Sequence, residues 1–224
     1  MSNLNDFEIN ENILESYLGD GGEVVIPDGI TIVEDEAFKG CENLTKITFP
    51  DSVTFIGDLA FEDCTALKSI VFGKNLQYIG WSAFCRCTSL KCIALPDSVD
   101  ELASYAFAEC SKLSRVEFGK GLQTLGTATF EDCPALTEVY LPDSLEVIGR
   151  FAFRKCVNLK SIRIGQALNS IEEGAFDLCH TPLTINFAGS KDKFNSLIHM
   201  HGWKKGEGKY VVKYNQKEIG RAHV

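Results

Sequence analysis

The sequence predicts a mainly β solenoid of seven 23-residue coils on a parallel strand ladder, with a β-hairpin cap before the coils and a helix-plus-strand cap after them. Three recurrences carry this reading. Phe stands at Phe38, Phe61, Phe84, Phe107, Phe130, Phe153 and Phe176. Cys stands at Cys41, Cys64, Cys87, Cys110, Cys133, Cys156 and Cys179. Leu follows at Leu44, Leu67, Leu90, Leu113, Leu136 and Leu159. The register runs without insertion from 27 to 187. A fixed period of this size marks a repeat architecture, in which no unit can bury its apolar face alone but stacked units share one core.

The elements follow in order. Residues 1–26 form an N-terminal cap, in which two alternating runs around Asn10-Glu11-Asn12 predict a hairpin over the first coil's open edge. Within each unit, L-x-x-I-x-F alternates as a short strand does: Ile47 and Phe49 take one face, Lys46 and Thr48 the other. Pro50, Pro96 and Pro142 close that strand, since proline cannot donate to a ladder; Gly73, Gly119 and Gly165 hold the same rung in the intervening units. A second apolar segment, Val53 and Ile56 in the first full unit, ends at a glycine turn. A-F-x-x-C is too short for a stable helix and reads as a tight turn or one 3₁₀ turn. Stacking coils ~4.8 Å apart sets every Phe on the next and every Cys on the next. Each buried Phe is worth roughly 1.5–3 kcal/mol. Thr129 replaces the Ala of this turn once, adding bulk and a hydroxyl.

Residues 188–218 read as a C-terminal cap: a helix with Phe194, Leu197 and Ile198 on one face and Ser190 as N-cap, then a strand in KYVVKY. Open sheet edges invite further pairing, so such arrays need covers at both ends. Residues 219–224, IGRAHV, fit no pattern before them and read as a non-native tail of an artificially ended, metagenomic reading frame. On the rung after Pro/Gly stand Asp28, Asp51, Lys74, Asp97, Lys120, Asp143 and Gln166. Opposite charges on neighbouring rungs help a sheet and like charges hurt it, so this row reads as register-keeping at the surface.

The unit AFxxCxxLxxIxFPDSVxxIG, seven times in phase, resembles the BspA-type leucine-rich repeat, a bacterial class with 23-residue units. The opening DFEINENILESYLGDGGEVVIPDGIT is similar to the hairpin cap found before such arrays, and INFAGSKDKFNSLIHMHGW to their usual ending. The resemblance implies a curved leucine-rich-repeat solenoid used for protein–protein or adhesive contact, without catalytic activity.

Composition narrows the function. The 224 residues are 45% hydrophobic and 24% charged, a globular balance. A net charge of −9 argues against nucleic acid and anionic lipid as partners, because both need a cationic surface. No apolar run approaches the ~20 residues of a membrane span. The acidic, interrupted N-terminus lacks a signal-peptide pattern, which predicts a cytoplasmic protein with reduced thiols, or a cell-surface one if the natural chain is longer.

No residue cluster points to chemistry, so the sequence predicts no enzyme, no cofactor and no metal. The cysteine column reads as core, because buried Cys behaves as a small hydrophobe. Cys85 and Cys92 stand off the column; with Cys87 they form C-x-C-x4-C, which lacks the paired spacing and fourth ligand of a zinc site, and they read as exposed free thiols. His199 and His201 are two apart on a helix and so diverge; His180 has no nucleophile suggested beside it; Gly206 lies in a loop without phosphate-cradle context.

Binding is assigned to the outward strand residues, which vary while the frame holds: Lys46 and Thr48, Ser69 and Val71, Cys92 and Ala94, Arg115 and Glu117, Glu138 and Tyr140, Ser161 and Arg163. Tyr and Arg are enriched at hot spots, so Arg115, Glu117, Glu138, Tyr140 and Arg163 are the predicted contact for a protein partner, with Arg115 beside Glu138 as a cross-strand pair. Phe55, Tyr78 and Trp81 on neighbouring coils form a second candidate patch. The function expected is a non-catalytic leucine-rich-repeat scaffold mediating protein–protein or adhesive interaction; the alternative is a structural repeat module of a longer multidomain protein whose activity lies in a missing C-terminal part.

Overall fold

The computed structural model describes residues 4–180, 182–200 and 210–214, without the side chains of 198–200. It is a mainly β solenoid of about eight turns. Two rows of strands run along it. The first row holds the longer strand of each coil: Gly22–Val25, Leu44–Thr48, Ser69–Val71, Cys92–Ala94, Arg115–Glu117, Glu138–Tyr140, Ser161–Ile164 and Leu183–Phe187, ending at Tyr210–Tyr214. Pairing is parallel and in repeat register, with Ile47 facing Ile70, Ile93 facing Val116, and Ile162 between Val139 and Ile185. The second row is a nine-stranded sheet: the hairpin Phe7–Asn10 and Ile13–Tyr17 begins it, and seven two-residue strands follow, from Ile32–Val33 to Ser170–Ile171. The hairpin joins this row in parallel, Leu14 opposite Val33, so it is the sheet's first rung as well as its cover.

Alternation settles which side chains enter the core. Ile47, Ile70, Ile93, Val139, Ile162 and Ile185 point in from the first row, and Val33, Ile56, Ile79, Leu102, Leu125, Ile148 and Ile171 from the second; all are buried. Between them the seven Phe rings form one column. Successive centroids are 4.7 Å apart for Phe38–Phe61, 4.9 Å for Phe61–Phe84 and 5.2 Å for Phe84–Phe107, with the rings within 14° of parallel. Spacing is 5.7, 5.5 and 5.8 Å along the rest of the column to Phe176. Phe49, Phe72 and Phe118 meet this column edge-on, at 74°, 84° and 86°, the electrostatically favoured way to add a ring to the edge of a stack. Tyr17 of the hairpin closes the column, 4.7 Å from Phe38 at 19°.

The A-F-x-x-C segment is a turn, and it is hydrogen-bonded between coils. The Phe38 N–H donates to the Ala60 carbonyl at 2.7 Å, and Phe61, Phe84 and Phe107 repeat the bond to Ala83, Ala106 and Thr129. Each such turn needs two left-handed residues. One precedes the Ala or its replacement: Glu36, Leu59, Ser82, Tyr105, Ala128, Phe151 and Gly174. The other precedes the Cys: Gly40, Asp63, Arg86, Glu109, Asp132, Lys155 and Leu178. Buried Thr129 fits because its hydroxyl donates to the Gly126 carbonyl at 2.8 Å.

The helix Lys191–Met200 packs Phe194 against Phe187 and Tyr214, with centroids 5.3 and 6.1 Å away. The Lys193 N–H donates to the Ser190 hydroxyl at 3.2 Å, the N-cap the sequence predicts. The side chains of Ile198 and His199, and all of His201, Gly206 and the tail 219–224, lie outside the described residues. No helix among the described residues is long and apolar enough to cross a membrane.

Candidate partner-binding face

The outward residues of the first row form one face. Register places Arg115 beside Cys92 and Glu117 beside Ala94; Glu138 lies beside Ser161 and Tyr140 beside Arg163. Tyr140 is 46% exposed and Val71 45%. The charges here are held locally. Arg115 pairs with Glu117 of its own strand at 2.5 Å, not with Glu138 as the spacing suggests. The strand pairing of the first row is interrupted here, Arg115–Glu117 and Glu138–Tyr140 belonging to separate sheets, so no ladder holds Glu138 opposite Arg115 and the guanidinium takes the carboxylate on its own strand. The Tyr140 hydroxyl donates to Glu138 at 3.0 Å. Arg163 turns away from the face: it donates to Asp143 of the Pro-Asp-Ser turn at 3.0 Å and to the Leu141 carbonyl at 3.3 Å, leaving its side chain only 27% exposed. The structure thus brings Arg115 and Glu117 together, sets Tyr140 on Glu138, and anchors Arg163 at the rim. In sequence Asp143 stands on the charged turn row; its pairing with Arg163 of the strand row is not visible there because the two rows have separate registers.

The second candidate patch divides. Phe55 and Tyr78 stack with centroids 5.0 Å apart at 15°, as adjacent rungs of the second row. Trp81, 44% exposed, packs edge-on against Tyr105 at 6.4 Å. Trp81 sits on the turn after the strand, so its neighbour is the turn residue of the next coil. Its own N–H donates to the Asp58 carboxylate at 2.7 Å.

The thiols are placed by the coil geometry. Cys64, Cys87, Cys110, Cys133, Cys156 and Cys179 each lie within 3.4 Å of the carbonyl of the Phe 26 residues earlier, which accepts the S–H. The column therefore supplies a donor as well as a small apolar body, and burial pushes all these thiols up from their ordinary value. Cys85 corrects the expectation of two exposed thiols: it is buried under the turn, and burial pushes it up to about 11. Cys92 is exposed on the strand face, so C-x-C-x4-C points three ways. At the Cys turn, Arg86 grips Asp63 at 2.6 Å and Glu62 at 2.8 Å, and its hydrogen bond holds the Asp63 carboxyl below the usual range.

A parallel-ladder solenoid with one inward Leu, Ile, Phe and Cys per coil is a leucine-rich-repeat protein. A family model described as "BspA type Leucine rich repeat region" matches in six copies over residues 8–136 and 77–200, and the chain belongs to that family. Among solved structures it is similar to a leucine-rich repeat protein of T. pallidum: 30% identity, TM-score 0.75, covering 80% of this chain and 89% of that one. It shares its fold with a leucine-rich repeat protein from Bacteroides ovatus ATCC 8483: 24% identity, TM-score 0.56, covering 81% of this chain and 61% of that one. No curated protein sequence matches the chain.

Proposed function

We propose that the chain is a non-catalytic scaffold that binds a protein partner through its first-row strand face, with Arg115, Glu117, Glu138, Tyr140 and Arg163 at the contact. The observation that carries this is Tyr140, an exposed aromatic on a strand paired in register with Ser161–Ile164, oriented by its bond to Glu138. A ring fixed in advance loses little freedom on binding, and Tyr is a favoured anchor at interface centres. The flanking charges are already paired, so a partner covering them meets few bare ions.

The test begins by isolating a partner captured by the wild-type chain and measuring its affinity for Tyr140→Ala/Arg163→Ala. Losing a hot-spot Tyr costs about 2 kcal/mol or more, so a drop of about thirtyfold is expected. Undiminished affinity moves the contact to another surface.

A further inference from the structure

We propose that the same face takes a short acidic segment of its protein partner on a cationic island formed by Lys68, Lys91 and Lys112. This deepens the function proposed above and rests on it. The island comes from three successive coils. Lys68 and Lys91 occupy the same rung, just before the outward strand residues, and Lys112 stands two residues earlier on its own coil than the next member of that rung, Ser114. The coils are tied together here: the Thr88 hydroxyl donates to the Thr65 carbonyl at 3.4 Å, and the Ser114 N–H to the Lys91 carbonyl at 2.9 Å. All three lysines are exposed.

Their surroundings are unusual for a chain of net charge −9. The stretches 65–72, 88–95 and 111–116 contain no Asp or Glu. Among the described residues no carboxylate lies within ion-pair distance of Lys68, Lys91 or Lys112; Lys120 and Lys160 share that, but each stands alone on its stretch of the array, whereas these three lie on successive coils. Like charges on adjacent rungs are unfavourable, and a carboxylate placed between them relieves that cost. Glu23 and Glu42 border the island on the first-coil side, Glu117 and Glu138 on the other. Three close, unneutralised charges on successive coils draw an acidic segment to this part of the face.

The borders also set the ligand's size. Two coil steps span ~10 Å and an extended chain rises ~3.3 Å per residue, so about three residues fit before acidic neighbours begin. Alternate side chains of such a segment point the same way ~6.7 Å apart, within the reach of two flexible lysines. A long polyanion would have to cross Glu117 and Glu138. The neutral Ser69, Ser89, Cys92 and Ser114 between the lysines leave room for a peptide backbone.

The experiment uses the full chain and a fluorescein-labelled peptide whose acidic stretch is Glu-Thr-Glu, followed by anisotropy at low and at physiological salt. The expected result is binding that weakens with salt, since exposed charges are screened beyond a Debye length of ~10 Å at 0.1 M. Lys68→Glu/Lys91→Glu weakens it about tenfold or more, while Lys160→Glu, on the same rung but outside the island, leaves it unchanged. No binding at low salt, or equal binding by the double variant, overturns the proposal. Tighter binding of a sulfated polysaccharide that displaces the peptide overturns it in favour of a glycan. Loss of peptide binding leaves the Tyr140 contact standing if the captured partner still depends on Tyr140, so the two readings fail separately.

Discussion

The carbonyl oxygen of Pro96 lies directly against Gly119 of the next coil: a Cβ added to Gly119 would meet it at 2.0 Å. The same contact holds between Pro50 and Gly73, at 2.2 Å. The two halves of each pair are stitched further. The Asp97 carboxylate accepts the Lys120 N–H at 2.8 Å and Asp51 accepts the Lys74 N–H at 3.0 Å. Ser98 reaches back the other way, its hydroxyl 2.7 Å from the Lys74 carbonyl and 2.5 Å from that of Leu76. The alternation of Pro-Asp-Ser and Gly-Lys units is thus a steric interlock, with the exposed Asp51–Lys74 ion pair a minor, solvent-screened addition.

Gly119→Ala should therefore be costly where a surface change is not. Overpacking against backbone costs about 1–3 kcal/mol, because the coil must shift to clear the oxygen. Lys120→Ala, one residue on, removes only an exposed charge and should stay within about 0.5 kcal/mol of wild type. Urea unfolding of the two variants compares them directly; equal midpoints would show that the coils separate without cost.

Much of this fold was legible because its spacing is a direct image of its geometry. A side chain that returns every 23 residues returns to the same azimuth of the coil, so the columns of Phe38 and Cys41 could be placed without coordinates. What escaped was set by contacts off the period. Arg163 leaves the face for Asp143, twenty residues earlier. Trp81 finds Tyr105, and Arg115 finds Glu117. Cys85 is buried by a turn whose left-handed residues, Ser82 and Arg86, are not the glycines that normally announce one. Repeat phase fixes a residue's rung; side-chain partners on a surface depend on local reach and charge.

The cysteine column predicts a defined alkaline limit. Burial, followed by the charge of neighbouring cysteines, pushes Cys87, Cys110, Cys133 and Cys156 well above their ordinary thiol value, and burial pushes Cys179 up to about 12. Below the unfolded-state value of ~8.5 both states keep the proton and stability is flat. Above it only the unfolded chain loses protons, so the native state binds more of them and stability falls as pH rises. Each such thiol contributes up to ~1.4 kcal/mol per pH unit, so the contributions of the column add up steeply. Stability measured by urea unfolding should be level to about pH 8.5 and drop steeply by pH 10. In Cys110→Ala the slope between those values should be shallower by about one thiol's share, even though the variant starts less stable. An unchanged slope would exclude the column as its source.

Tyr17 should behave as the cap of the aromatic column. Its ring stacks on Phe38 and also touches Phe7 at 5.4 Å, and its hydroxyl accepts the Gly21 N–H at 3.3 Å. Tyr17→Ala strips a buried ring and is expected to cost about 3–5 kcal/mol. Tyr17→Phe keeps the stack and loses one weak bond, for about 0.5–1.5 kcal/mol. Because coils in a solenoid are stabilised mainly by their neighbours, the damage should begin at the uncovered end. Hydrogen exchange at Phe38 should accelerate in Tyr17→Ala far more than at Phe153. Uniform acceleration along the chain would mean that the array melts as one block.

The left-handed turn residues give the last test, since they make an ordinarily harmful substitution favourable. Glu109 has φ 58° and an exposed side chain, and its N–H donates to the Glu131 carbonyl at 2.7 Å. A left-handed conformation costs a non-glycine residue about 1–2 kcal/mol, and a β-branched residue more. Glycine relieves that cost but adds about 0.5–1 kcal/mol of unfolded-state entropy. Glu109→Gly should accordingly match or exceed wild-type stability by up to about 1 kcal/mol, and Glu109→Val should lose about 1–2 kcal/mol. Thermal unfolding ranks the three chains. Valine ranking above glycine would show that the turn relaxes out of the left-handed region and that its inter-coil hydrogen bonds do not hold it there.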